Sequence, residues 1–562
     1  MERIWLDHYP PGVPADIDIS DCASLLTILD DSYRRFPDRP AYTSLGTTLS
    51  YAQFDRLSRD FAAWLQSRGL RQGDRVALML PNLLQYPVCL FGALRAGCVV
   101  VNCNPLYTAH ELAHQLRDAG AQAIVVADNF AHTLQQALPH TALRHIVTTS
   151  IGELLGPLKG RVIDLVVRHV KHKVPTWSLP GAVRLRRALS EGHPLPLRPP
   201  MLTRADPAFL QYTGGTTGVA KAAVLSHGNM LANLHQAHAW VGNHLREGVE
   251  CIVTALPLYH VFALTANCLI SIKLGARNLL IPDARDLPAL IKALRNTPFS
   301  VITGVNTLFR ALLNHPDFAK LDFSQLRITL AGGIAVQRAV AQQWRDVTGV
   351  SLCQAYGLTE TSPAVTLNPL NVETFTGSIG LPVPSTELSI RDDDGRELAQ
   401  GDTGELCVRG PQVMSGYWNR PEETALVFYP DGFLRTGDIG YVDERGDVYL
   451  VDRKKDLILV SGFNVYPNEV EDAAALHPGV REVAAVGVPD ERSGEAVKLF
   501  VIRNDPALDA QTLIAHCRQH LTGYKVPRHV EFRDALPRSA VGKILRRELR
   551  PAATQSSAAA PR

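Results

Sequence analysis

The run 212–227, YTGGTTGVAKAAVLSH, places Gly214, Gly215 and Gly218 with Thr213, Thr216 and Thr217 ahead of Lys221, and contains no acidic residue. Glycines let successive backbone N–H groups close around an anion, and the hydroxyls and ammonium add donors. This chemistry suits a polyphosphate. The spacing is not G-x-x-x-x-G-K-[ST]: Gly215 and Gly218 are too close, and Ala222 follows the lysine, so a simple NTPase is not expected.

Three further segments carry candidate chemistry. In 354–363, QAYGLTETSP, Tyr356 could stack on a purine and Glu360 could bind magnesium, which takes one or two carboxylates beside substrate phosphates. In 431–438, DGFLRTGD, Asp438 could accept both hydroxyls of a ribose. In 537–550, Gly542 and Lys543 sit at a loop-to-helix junction. Taken singly, each has a plain alternative: a packed turn, a turn aspartate, a solvated lysine.

The elements that must position these groups follow from the apolar pattern. Residues 75–80, 98–102 and 123–127 read as strands, and 84–96 and 111–119 as helices. The alternation returns from 251 to 354, with short apolar runs at 251–256, 278–281, 300–302 and 328–330. Strands alternating with helices predict parallel sheets covered on both faces. After about 377, short strands (387–390, 404–409, 448–451) between Asp/Gly turns predict a β-rich subdomain. Past 455 comes a compact α+β pattern. The fold class expected is therefore α/β and α+β. Its parts are a large domain over 1–452, a hinge at 453–456, a small mobile domain over 457–550 and a disordered Ala/Ser/Pro-rich tail at 551–562.

Together and in this order, the motifs resemble the acyl-adenylate-forming superfamily over nearly the whole chain. Within it, 431–455 is similar to the fatty-acyl-CoA synthetase signature. WLDHYPPGVPADI, TALPLYHVFALT, ITGVNTLF and KKDLILVSGFNVYPNEVED resemble the bacterial long-chain fatty-acid–CoA ligases.

The resemblance implies a set of roles. Thr213, Gly214, Gly215, Thr216, Thr217, Gly218 and Lys221 would wrap the β- and γ-phosphates of ATP. Gly332, Gly333, Gln354, Ala355, Tyr356 and Gly357 would line the adenine pocket, with Thr359 at the α-phosphate. Thr217 and Glu360 would hold Mg2+, and Asp438 and Arg453 the ribose. Lys543 would be catalytic in adenylation, together with Thr217 and Glu360, and Lys455 would be the hinge. Gly462 and Phe463 would line the CoA channel. His260, Val261, Phe262, Thr303, Gly304 and Val305 would border the acyl site, with His260 either a gate or a structural histidine.

Three residues depart from the pattern. Ala222 stands where glycine is usual, Phe433 where tryptophan is usual and Arg435 where histidine is usual. Ala222 lies beyond the lysine and is not expected to abolish ATP binding. The other two lie near Asp438 in sequence and are expected to bear on kinetics or chain length.

The implied reaction converts a long-chain fatty acid and ATP to acyl-AMP and pyrophosphate, then transfers the acyl group to CoA. Rival expectations are a ligase that loads a carrier protein and a non-catalytic membrane-associated fatty-acid-binding protein. The joint presence of Lys221, Glu360, Asp438, Arg453 and Lys543 speaks against the second.

Composition bounds the remainder. The 562 residues are 46% apolar and 20% charged, as in a globular enzyme. A net charge of +2 gives no basic excess for nucleic acid. Nine cysteines without a C-x-x-C pair suggest reduced thiols and a cytoplasmic setting. The N-terminus lacks a signal-peptide core, and no apolar run reaches a membrane span; 88–101 reads as a buried helix followed by a strand. The basic amphipathic stretch 161–173 could lie on the inner membrane as a peripheral contact. A surface helix packed on its own domain shows the same stripe and is the preferred expectation. A homodimer is left open.

Overall fold

The computed structural model describes residues 2–213, 220–461, 463–490, 492–539 and 542–550. Among them the chain forms four sheets. In the first, Arg75–Met79, Val99–Asn102, Ala123–Ala127 and His145–Thr149 pair in parallel. Val99–Asn102 and Ala123–Ala127 are buried throughout, as strands covered on both faces must be. The 88–101 stretch is the buried helix and strand expected: every residue of Gln85–Arg95 is inside. Arg95 is tolerated there because Asp55 and Asp30 hold it at 2.6 and 3.1 Å. This sheet ends in an antiparallel pair, Pro207–Thr213 (β1) and Lys221–Ser226 (β2), whose register sets Thr213 opposite Lys221. The pair thus anchors both ends of the glycine-rich loop.

The second sheet carries the parallel strands Cys251–Thr254 (β3), Val301–Gly304 (β4), Ile328–Gly332 (β5) and Leu352–Gly357 (β6). Register aligns Gly304 with Ala331, and Gly332 with Ala355, so the candidate glycines sit together at the carboxyl ends. Ligands of open parallel sheets bind at that edge. Buried Asn82 joins the two sheets. Its amide donates to the carbonyls of Thr254 and Leu256 at 3.1 and 2.8 Å and accepts from Leu258 N at 2.9 Å.

A four-stranded antiparallel sheet follows, ending in Leu434–Val442 (β7) and Val448–Arg453 (β8). Beyond it the small C-terminal α+β domain has its own core, in which Ile458, Val470, Val497, Leu499 and Leu513 pack around the long strand Val480–Asp490 (β9). All nine cysteines are buried and unpaired. No helix among the described residues is long and apolar enough to cross a membrane.

One expectation is met only in part. The stretch 161–173 falls in the helix Pro157–Leu165 (α1) and its π-helical continuation Val166–Val170. It packs through only part of its apolar stripe: Ile163 lies against the main core and Val166 and Val167 are half-buried. Gly160 lies so close to Gly152 that a Cβ on either would meet backbone at 2.2 Å. Beside it, Asp164 accepts from Ser150 Oγ and Gly152 N at 2.7 and 2.8 Å. Gly160 and Asp164 therefore turn inward beside Ile163, leaving Leu158, Val162, Leu165 and Val170 exposed at 79, 63, 58 and 66%.

Candidate active site

The best-defined cluster comes from the β7–β8 hairpin. Its turn is closed by Asp443, whose carboxylate accepts from Arg445 N and Asp447 N at 2.9 Å each. That turn sets Asp438 directly opposite Arg453. Their ion pair measures 2.9 Å, and Asp438 is buried. Its other oxygen accepts the Tyr356 hydroxyl at 2.6 Å, which ties β6 to β7. Burial, then Asp438, pushes the Tyr356 phenol well above its usual range, so it stays a donor. Gln354 is spent on scaffolding: it donates to Ser378 O at 2.9 Å and accepts from Val336 N at 3.1 Å. Gly357 is required sterically, since a Cβ there would lie 1.9 Å from Pro363 O. Gly333 adopts φ +77°, open to glycine at no cost.

Lys543 arrives from the small domain. Ser539 N donates to Lys543 O at 2.8 Å, and Leu545 N to Pro537 O at 2.9 Å, giving a hairpin. Burial, then the neighbouring Arg453, lowers the Lys543 ammonium to about 8, against the opposing pull of Asp438. Lys455 is lowered for the same two reasons. Arg453, Lys455 and Lys543 around one Asp438 leave a cationic excess suited to a polyanion.

His260 feels Lys543 too. Burial first, then that ammonium, takes its imidazole down to about 4, so it is neutral at ordinary pH. Its Nδ1 accepts from Phe262 N at 3.3 Å, capping the turn Val261–Ala263. His260 is thus a structural cap as well as a neighbour of Lys543. Phe262 lies against Gly332: a Cβ at that glycine would meet the Phe262 ring and Ala355 O at 3.0 Å. Gly332, Ala355 and Phe262 therefore share a wall. The Thr303 hydroxyl hydrogen-bonds the Asn267 side chain at 2.9 Å, and the ring of Phe309 fills the space beside Gly304.

Glu360 follows Thr359 in a short 3-10 turn. Its Oε1 accepts the Tyr417 hydroxyl at 2.8 Å. Lys221 lies 5.4 Å from the Tyr417 ring and pairs with Glu423. Tyr417 and Glu423 had no signal in sequence; strand-like pairing of Tyr417 with Ala223 brings them in. Among the described residues no three His, Cys, Asp or Glu side chains gather as a metal cage. An ion here would rest on Glu360 and phosphate oxygens, which suits magnesium.

Gly214, Gly215, Thr216, Thr217, Gly218 and Gly462 lie outside the described residues. Phe463 is not brought to the Lys543 cluster; it stacks on Tyr524 at 4.8 Å on an exposed face. At 454–456, Lys454 holds Glu405 and Asp393, and Asp456 holds Arg546. Phe433 and Arg435 contact Arg391, Arg409 and Tyr429, forming an Arg–aromatic stack. Ala222 pairs with Tyr212 within β2 and accepts from Trp418 N at 2.8 Å.

Known proteins resemble this chain over nearly its whole length. The family described as AMP-binding enzyme matches residues 29–418, and the AMP-binding enzyme C-terminal domain matches 469–543. The chain is 55% identical to the long-chain-fatty-acid–CoA ligase of Escherichia coli O157:H7 over 551 residues, 98% of each chain. It is 40% identical to the ligase of that name from Bacillus subtilis strain 168 over 557 residues, again 98% of each. The structure of ATP-bound MatB from Rhodopseudomonas palustris superposes with a TM-score of 0.80 at 28% identity, covering 94% of this chain and 98% of that one. With family matches over both its large and small parts and full-length relatives at this identity, the chain belongs to the AMP-binding enzyme family.

Proposed function

We propose that this enzyme activates long-chain fatty acids with ATP and passes the acyl group to CoA. The observation that carries the site assignment is the convergence of Lys543 on the Asp438–Arg453–Tyr356 cluster beside His260 and Phe262. The full-length identity to long-chain-fatty-acid–CoA ligases supports the substrate class.

In the first half-reaction a fatty carboxylate oxygen attacks the α-phosphorus of ATP. The bond to the bridging oxygen breaks, and pyrophosphate leaves. The carboxylate is already ionised, so no general base is needed, and the neutral His260 is not asked to be one. The barrier is electrostatic, one anion approaching another, and is lowered by positioned cations. Lys543 would neutralise charge at the α-phosphate, and Asp438 with Arg453 would fix the ribose. Glu360 with Thr217 would hold magnesium, which would neutralise phosphate charge when bound. In the second half-reaction the CoA sulfur attacks the acyl carbon and AMP departs. A thiol of pKa ~8.5 provides enough thiolate without a strong base.

Lys543 sits inward while Phe463 faces solvent, so the two serve different steps, with the boundary at 453–456 acting as the hinge. The approach of Lys543 to Asp438 and Arg453 supports reading this arrangement as the adenylation one. The walls 261–264 and 303–309 bound the acyl path, where four extra methylenes could add roughly 3 kcal/mol. Incubation with a long-chain acid, ATP and CoA should give acyl-CoA with equal amounts of AMP and pyrophosphate. Release of ADP and phosphate would refute the scheme.

The exposed face of α1 supports a peripheral contact with an anionic lipid surface. Leu158, Val162, Leu165 and Val170 project outward, and Lys159, Arg161, Arg168, Lys171 and Lys173 flank them. Apolar insertion and attraction to anionic headgroups then act together. The fatty acid partitions into the same phase. Sedimentation with phosphatidylglycerol vesicles should be lost in Val162→Asp/Leu165→Asp and persist weakly when Arg161 and Lys171 are neutralised. Unchanged binding in both would refute it.

A further inference from the structure

Lys543 is carried into a cationic neighbourhood, between Arg453 and Lys455. Bringing a third cation there without bound ATP is unfavourable, so something else must hold the hairpin in place. The helix Asn306–Leu313 (α2), which starts directly after β4, supplies it. Thr307 faces the hairpin, and Arg310, about one turn further on, faces β9. Gly542, at φ +82°, passes so close to Thr307 that a Cβ would be 3.0 Å from its hydroxyl. Arg310 donates to the carbonyl of Arg481 at 2.9 Å and pairs with one oxygen of Glu482 on β9. The other Glu482 oxygen takes Arg538. Arg538 in turn donates to the carbonyl of Gly542, next to Lys543, at 2.7 Å and bridges Ile544 across the hairpin.

We propose that Arg310, Glu482 and Arg538 form a positioning relay that docks the Lys543 hairpin on the large domain for adenylation only. One carboxylate links a large-domain guanidinium to the guanidinium that grips the Lys543 loop. Because all three side chains are partly buried, water screens the links less than on an open surface. When the small domain turns to present the Phe463 face, the Arg310–Glu482 link must break, whereas Glu482–Arg538 lies within the small domain and travels with it. Arg310 is therefore a positioning residue, because it acts through Glu482 rather than on substrate. The relay rests on the role of Lys543 proposed above.

The test separates the half-reactions. Arg310→Ala and Glu482→Gln should lower palmitate-dependent ATP–pyrophosphate exchange about tenfold or more. They should convert supplied palmitoyl-AMP and CoA to thioester at the wild-type rate, and Arg310→Lys should recover part of the exchange. Thermal midpoints equal to wild type would show that folding is intact. Equal loss in both half-reactions, or full exchange in Arg310→Ala, would overturn the relay. Lys543→Ala is run alongside. If it loses exchange while Arg310→Ala keeps it, only the relay fails; if Lys543→Ala itself keeps exchange, the role of Lys543 fails and the relay with it.

Discussion

The acidity of Lys543 gives adenylation a pH signature. Burial, with Arg453 beside it, sets its ammonium at about 8 in the free enzyme. In the proposed role the form that stabilises the α-phosphate is the cation, so activity should be present below this value and lost above it. With a pKa of about 8, about nine-tenths of the molecules carry the charge at pH 7 and about one-tenth at pH 9. The kcat/KM for ATP in pyrophosphate exchange should therefore fall about tenfold over that interval, since this parameter reports the free enzyme. Under saturating ATP the limb should move to higher pH, because bound phosphates favour the ammonium. His260, lowered to about 4, stays neutral throughout and adds no limb there. Lys455 is also lowered, so the assignment needs Lys543→Arg, whose guanidinium keeps its charge. That variant should be slower and flat between pH 7 and 9. The same limb in Lys543→Arg, or a flat wild-type profile, would refute the reasoning.

Other substitutions test the remaining geometry. Asp438→Asn removes the carboxylate that accepts Tyr356 and pairs with Arg453; loss of a charge-assisted bond of about 2 kcal/mol should raise the KM for ATP about thirtyfold. An unchanged KM would show that Asp438 is only structural. Gly332→Ala would push Phe262, so kcat/KM for palmitate should fall more than that for ATP, by about fivefold for a strain of about 1 kcal/mol. Equal effects on both substrates would place Phe262 outside the acyl path. Tyr417→Phe frees Glu360 from its hydroxyl donor and should slow exchange without altering thioester formation from supplied palmitoyl-AMP. Slowing of both steps would count against a role confined to adenylation.

Much of the scaffold was legible because its strands are short apolar runs between helices. Ala123–Ala127 and Gly404–Arg409 fall where the pattern put them. The pairing of Asp438 with Arg453 was not legible from spacing, since it depends on the Asp443 turn and on hairpin register. Lys543 was legible only through the resemblance; a glycine–lysine step near a C-terminus has no signal of its own. Tyr417, Glu423, Arg310 and Glu482 were missed because they are surface-type residues joined over long separations, without periodicity. The stretch 161–173 shows the limit of amphipathic pattern: it locates an apolar stripe but not which part of it the protein covers. The Gly152–Gly160 approach, invisible in hydropathy, decided that.

The two-step scheme requires a separable first half-reaction, so the decisive measurement is ATP–pyrophosphate exchange without CoA, followed by a CoA chase. Palmitate should support exchange in the absence of CoA, and the chase should convert the bound adenylate to palmitoyl-CoA and AMP. No exchange with any fatty acid, or exchange whose adenylate CoA cannot discharge, would contradict it.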